Sequence, residues 1–164
     1  MTHVQLPTWR ATARRAPDLV SVILTIAVLA CLAIDAYVHF SDAADYTATR
    51  TTVLSQATLF RAEGVIAALA AVSLLIRPTR AVWAATGAVL AAGFGAVVLY
   101  TYVNVGQIGP VPNMYEPTWA LPGKTASAWA EAVGMVLCLI GLLTSQHRRS
   151  AAQRANTADP RLMF

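Results

Sequence analysis

Five ionisable side chains interrupt apolar stretches of the chain: Asp35 and His39 in the segment DAYVH, Arg61 and Glu63 in FRAEG, and Glu131 in AWAEAVG. Three carboxylates and an imidazole are groups that take up and release protons, or that ligate a metal through oxygen and nitrogen. Together Asp35, His39, Glu63 and Glu131 offer one nitrogen and three oxygen donors, a set compatible with zinc or another divalent cation. The same four residues could serve a membrane enzyme as acid, base or metal ligands. Other chemistries are excluded. The remaining histidines, His3 and His147, fall in basic tails, so no second axial histidine is available for a bis-histidine haem. Cys31 and Cys138 lie on different apolar segments at depths differing by about 6 Å, which supports neither a disulfide nor a redox-active pair. Neither a Gly-rich phosphate loop, a nucleophile elbow nor an HExxH motif occurs.

The segments that must position these residues follow from composition. Of 164 residues, 57% are hydrophobic and only 12% charged, with a mean hydropathy of +0.55. A soluble domain carries about 25% charged residues, so this chain lacks the polar surface that a water-exposed globule requires. Its apolar residues fall into blocks at about 19–40, 56–76, 80–104 and 125–143, none containing proline. Each is close to the ~20 residues that a helix needs to cross a hydrocarbon core of about 30 Å. Backbone polar groups in lipid must be satisfied within a segment, so these blocks predict helices, and the chain predicts a single all-α membrane domain, a bundle of four transmembrane helices.

Arginine placement predicts the orientation. Arg10, Arg14 and Arg15 precede the first span, Arg77 and Arg80 join the second and third, and Arg148, Arg149, Arg154 and Arg161 follow the fourth. The opposite loops hold only Arg50 and Lys124. Positively charged flanks are retained in the cytoplasm, so both termini, residues 1–18 and 144–164, are expected to be basic cytoplasmic tails of a multi-pass inner-membrane protein. Their partner is the anionic headgroup layer; nucleic-acid binding would need a folded basic surface. The first apolar run is too long for a cleaved secretion signal, and bulky Leu29 argues against lipid modification at Cys31. Tyr100, Tyr102, Tyr115, Trp119 and Trp129 are expected at the outer headgroup level, and Trp9 and Trp83 at the inner one. Four prolines and three glycines between 106 and 124 predict a turn-rich outer loop.

Antiparallel spans with these offsets bring Asp35, Arg61, Glu63 and Glu131 to a common depth, roughly 7–11 Å below the outer boundary. Each charge costs roughly 2.5–3.5 kcal/mol to insert, so the coincidence needs a reason. Asp35 and His39 share a helix face with Cys31, whereas Arg61 and Glu63 point to nearly opposite sides of one helix. Counting His39 as neutral, three carboxylates face one arginine. Two readings follow: a polar pocket that holds protons or a cation, or a structural ion pair between Asp35 and Arg61 that fixes helix register. Small residues at four-residue spacing, Gly87, Ala91 and Gly95 in the third span and Ala126, Ala130, Gly134 and Cys138 in the fourth, predict close packing against a neighbouring helix, within the chain, in a homo-oligomer or in a membrane complex.

The segment Phe60 to Tyr100, FRAEGVIAALAAVSLLIRPTRAVWAATGAVLAAGFGAVVLY, resembles the second and third helices of DoxX-like proteins. That resemblance implies a four-helix bundle and, for some members, an accessory role beside membrane redox enzymes; it carries no catalytic residue to this chain. The Ala-rich, Lys-poor composition is also similar to that of small membrane proteins of high-GC bacteria. The expected function is an accessory or binding protein with an outward-facing polar pocket, linked to protons or a cation. A transporter would need a polar path continuing through the inner half, which, past Arg80 at the boundary, carries no charged side chain within the spans, so conduction through one protomer is disfavoured.

Overall fold

The structure, a computed structural model, describes residues 19–157. It is an all-α bundle of four helices: α1 (Leu19–Asp42), α2 (Gln56–Ile76), α3 (Arg80–Tyr102) and α4 (Pro122–Thr157), with a 3-10 turn at Ala43–Tyr46 after α1. All four are long and apolar enough to cross a membrane, and no strand occurs among the described residues. The apolar surface is turned outward, as lipid demands: Ile26 on α1, Leu69 on α2, Leu99 on α3 and Leu139 on α4 are all exposed. The chain runs up and down, so that α1 packs on α2 and α4, and α3 packs on α4. The contact between α2 and α3 is much sparser than the others.

Local chemistry sets the helix ends. Ser55 accepts from the Thr58 amide at 3.1 Å and Thr79 from the Val82 amide at 3.3 Å, which satisfies orphan donors at the starts of α2 and α3. The fourth helix departs from expectation at both ends. It starts at Pro122 rather than Thr125, because proline in the first turn gives up an amide that has no partner anyway. It runs on to Thr157, about 20 Å beyond the apolar segment that ends at Thr144, through residues such as Gln, Arg and Ala that favour helix. The third helix stops at Tyr102, two residues short of the expected Asn104.

The tail end of the bundle, where α1 begins and α2 turns into α3, is closed by Leu24, Val28, Leu74, Trp83, Leu90 and Cys138. Two expectations are corrected here. Trp83 is 6% exposed and packs in the core instead of lying at a headgroup level, because Gly141 on α4 leaves space for its ring: a Cβ there would come within 2.8 Å of ring carbons. The buried face of α3 is Trp83, Thr86, Leu90, Gly93 and Thr101; of the expected stripe, Gly87 does approach α4, where a Cβ would lie 3.1 Å from Cys138 Cβ, whereas Gly95 has nothing within 4 Å of where its Cβ would be. A stripe drawn at constant four-residue spacing drifts off the contact face of a helix with 3.6 residues per turn. On α4 the stripe holds from Ala130 through Gly134 to Cys138, while Ala126 is exposed. Trp9 lies outside the described residues. Cys31 and Cys138 are both buried and free.

At the other end, the two long connections fold over the bundle. Thr51 Oγ1 donates to the Pro110 carbonyl at 2.8 Å, tying the first loop to the second. The Glu116 amide donates to the Tyr100 carbonyl at 2.9 Å, drawing the proline-rich loop back onto the end of α3. Gly106 and Gly109 take positive φ, 68° and 56°, where a side chain would be strained.

Candidate functional site

The buried face of α1 runs through Val28, Cys31, Leu32, Asp35, Val38 and His39, one turn apart in pairs, so that the acid and the imidazole are turned into the bundle together. His39 Nδ1 lies 3.0 Å from Asp35 Oδ1 and 3.0 Å from the Asp35 carbonyl oxygen. Donation from Nδ1 to these oxygens fixes the orientation of the ring. Glu131 enters from α4. It and Asp35 are both 0% exposed, and Ser127, one turn before Glu131, places its hydroxyl 3.1 Å from Asp35 Oδ1 and 3.2 Å from Glu131 Oε1. A hydroxyl has one proton, so it satisfies one of these oxygens at a time.

The account of the remaining oxygens is unbalanced. Asp35 Oδ2 and Glu131 Oε2 are buried without any hydrogen-bond partner. Leaving a buried charged oxygen unmet costs about 1–3 kcal/mol or more, which is why such atoms in native proteins point to an absent proton, water or ion. One ligand atom from each of Asp35, His39 and Glu131 lies within 4.8 Å of the other two, a spacing that side-chain rotation can close around a small cation.

Glu63 approaches from α2. A Cβ on Gly93 of α3 would overlap the Glu131 carboxylate, with Cδ at 2.9 Å, and would stand 3.5 Å from Glu63 Oε1. The two glutamates therefore meet over Gly93, the buried one of the three glycines of α3. Glu63 is half-buried, and with His39 it lines a cavity of about 500 Å³ between the loop-end halves of α2 and α3. Arg61 is two positions away, rotated about 200° around α2, and is exposed. It forms no ion pair with Asp35, whose ionic contact is His39.

The structure thus brings four of the five sequence-derived candidates, Asp35, His39, Glu63 and Glu131, to one place and leaves Arg61 outside. It adds two residues that sequence reasoning missed. Ser127 is the hydroxyl bridge; its position one turn before Glu131 on the same face was the available signal. Gly93 is the floor on which the glutamates meet. The proline-rich loop is tied to the end of α3 and the start of α4 through its aromatic residues, with Trp119 Nε1 donating to the Tyr102 hydroxyl at 3.2 Å and the Lys124 ammonium 5.2 Å from the Trp119 ring centre. No family model, curated protein or solved structure matches the chain.

Proposed function

We propose that this chain is a multi-pass protein of the cell membrane, with both termini in the cytoplasm, that binds a divalent cation in the cluster of Asp35, His39 and Glu131. The supporting observation is the pair of fully buried carboxylates, each with one oxygen unmet, beside an oriented imidazole. Charge arithmetic supports it as well. A divalent ion offsets two carboxylates and a neutral histidine completes a neutral site, which a low-dielectric interior tolerates far better than two like charges. The chain's role in this reading is accessory or binding rather than conduction, since the tail-end half of the bundle is filled by Leu24, Leu74, Trp83 and Leu90.

Zinc is the probe. In detergent-purified protein carrying His3→Ala and His147→Ala to silence the tails, calorimetry is expected to show one bound zinc, and Glu131→Gln to abolish it. The same substitution is expected to raise the Tm of chelator-treated protein, because it removes one of two adjacent buried charges. Zinc binding that is absent, or that survives Glu131→Gln, overturns the reading. The orientation rests on nine arginines at the tail end and in the tails, and reporters fused after Ile76 and at Phe164 are both expected to read cytoplasmic, with one at Asn113 reading external.

A further inference from the structure

The cavity beside the cluster opens sideways. Its walls include Ala62 and Ile66 of α2 and Ala92 and Ala96 of α3, all exposed on the flank of the bundle at the sparse α2–α3 seam. On a helix that crosses a membrane, that flank faces hydrocarbon. A molecule can therefore reach the cavity from within the bilayer, under a roof formed by Val111, Met114 and Glu116 of the proline-rich loop. A volume of about 500 Å³ is that of a site for a compact organic ligand.

The polar groups of the wall specify which ligand. Glu63 accepts no hydrogen bond from any described residue, and its carboxylate faces the cavity beside the buried acids. Asp42 and Glu116 line the same cavity. The basic groups are already engaged: His39 is held by Asp35, and the Lys124 ammonium donates to the backbone carbonyls of Glu116 and Thr118. Tyr46, Phe60 and Tyr100 supply aromatic rings to the same wall. An acid without a partner, flanked by aromatic rings and apolar side chains, favours a cation that is weakly hydrated and carries its own apolar body.

We infer that the α2–α3 cavity binds a lipophilic organic cation, an amine or quaternary ammonium compound with an aromatic or alkyl body, which enters from the bilayer and sets its charge against Glu63. This rests on the bundle lying in a membrane but not on a metal in the cluster, because a divalent ion there offsets Asp35 and Glu131 and leaves Glu63 to the cavity.

Tetraphenylphosphonium and tetraphenylborate test it, being alike in shape and apolar area but opposite in charge. Binding to protein in lipid nanodiscs is measured by calorimetry with chelator present throughout, so that the zinc titration and this one fail independently. Saturable binding of the phosphonium alone is expected, weakened by about tenfold or more in Glu63→Gln and unchanged in Arg61→Ala, which leaves the cavity untouched. Ala96→Phe, a substitution at an exposed wall position that the fold can accommodate, narrows the opening and is expected to weaken binding similarly. It decides the matter if Glu63→Gln does not fold. Equal binding of both ions, no saturable binding of either, or phosphonium binding indifferent to both the Glu63 and the Ala96 substitutions would overturn the inference.

Discussion

His39→Leu in chelator-treated protein is expected to lower stability by about 3–5 kcal/mol, the cost of stranding one partner of a buried ion pair. Asp35 is 0% exposed, and His39 is its ionic contact. With a leucine there, the carboxylate keeps only the Ser127 hydroxyl, which it must share with Glu131. The expectation has a sharper form in the double variant. Asp35→Leu with His39→Leu removes donor and acceptor together, relieves the crowding of Glu131, and replaces both by side chains suited to the apolar surroundings. Such paired replacements are often neutral or stabilising. The double variant should therefore melt well above His39→Leu alone, as followed by tryptophan fluorescence in detergent. If the two losses simply add, the pair is not the interaction described here.

Much of this site was legible because membranes make charge conspicuous. Asp35, Glu63 and Glu131 are ordinary residues in a soluble helix, but in apolar spans each needs a reason, and helix geometry alone places them at one depth. Rotation was harder. Arg61 could be set against Glu63 by their two-residue separation, yet which of them faced inward depended on how α2 packs, and the pairing of Asp35 with His39 rather than Arg61 follows from that choice. Ser127 was legible only as a neighbour of Glu131 on one helix face, and its bridging role was hidden for a different reason. A serine in an Ala-rich helix can satisfy itself on the preceding turn, and only the approach of α1 to α4 makes it a bridge. The same limit applies to the proline-rich loop: its turns are written in Pro and Gly, but the bonds that make it a roof, Thr51 to Pro110 and Glu116 to Tyr100, join residues with no local pattern in common. Trp83 shows a frequency misapplied. Tryptophan favours the headgroup level in general, but a glycine opposite it on α4 gives this one a place in the core.

The register of α3 against α4 also couples packing to the site, and it leads to the other large effect. Gly93→Val is expected to destabilise the bundle by about 1–3 kcal/mol through overpacking and to abolish binding in the cluster. The first added carbon would already lie 2.9 Å from Glu131 Cδ, closer than real Cβ contacts come, and 3.5 Å from Glu63 Oε1. The obstruction is a buried carboxylate and not the free end of an apolar chain. Glu131 can yield only by rotating away from Ser127 and Asp35, which takes its oxygens out of reach of His39, or by prising α3 from α4. Shortening Glu131 should undo the damage. Gly93→Ala combined with Glu131→Ala exchanges a collision for a contact of two methyl groups, and it is expected to recover most of the stability lost in Gly93→Ala alone while leaving the cluster without zinc binding. A double-mutant cycle on thermal stability in detergent measures the coupling directly. Independent, additive effects at the two positions would mean that Glu131 does not lie over Gly93, and the meeting of the two glutamates on that residue would have to be given up.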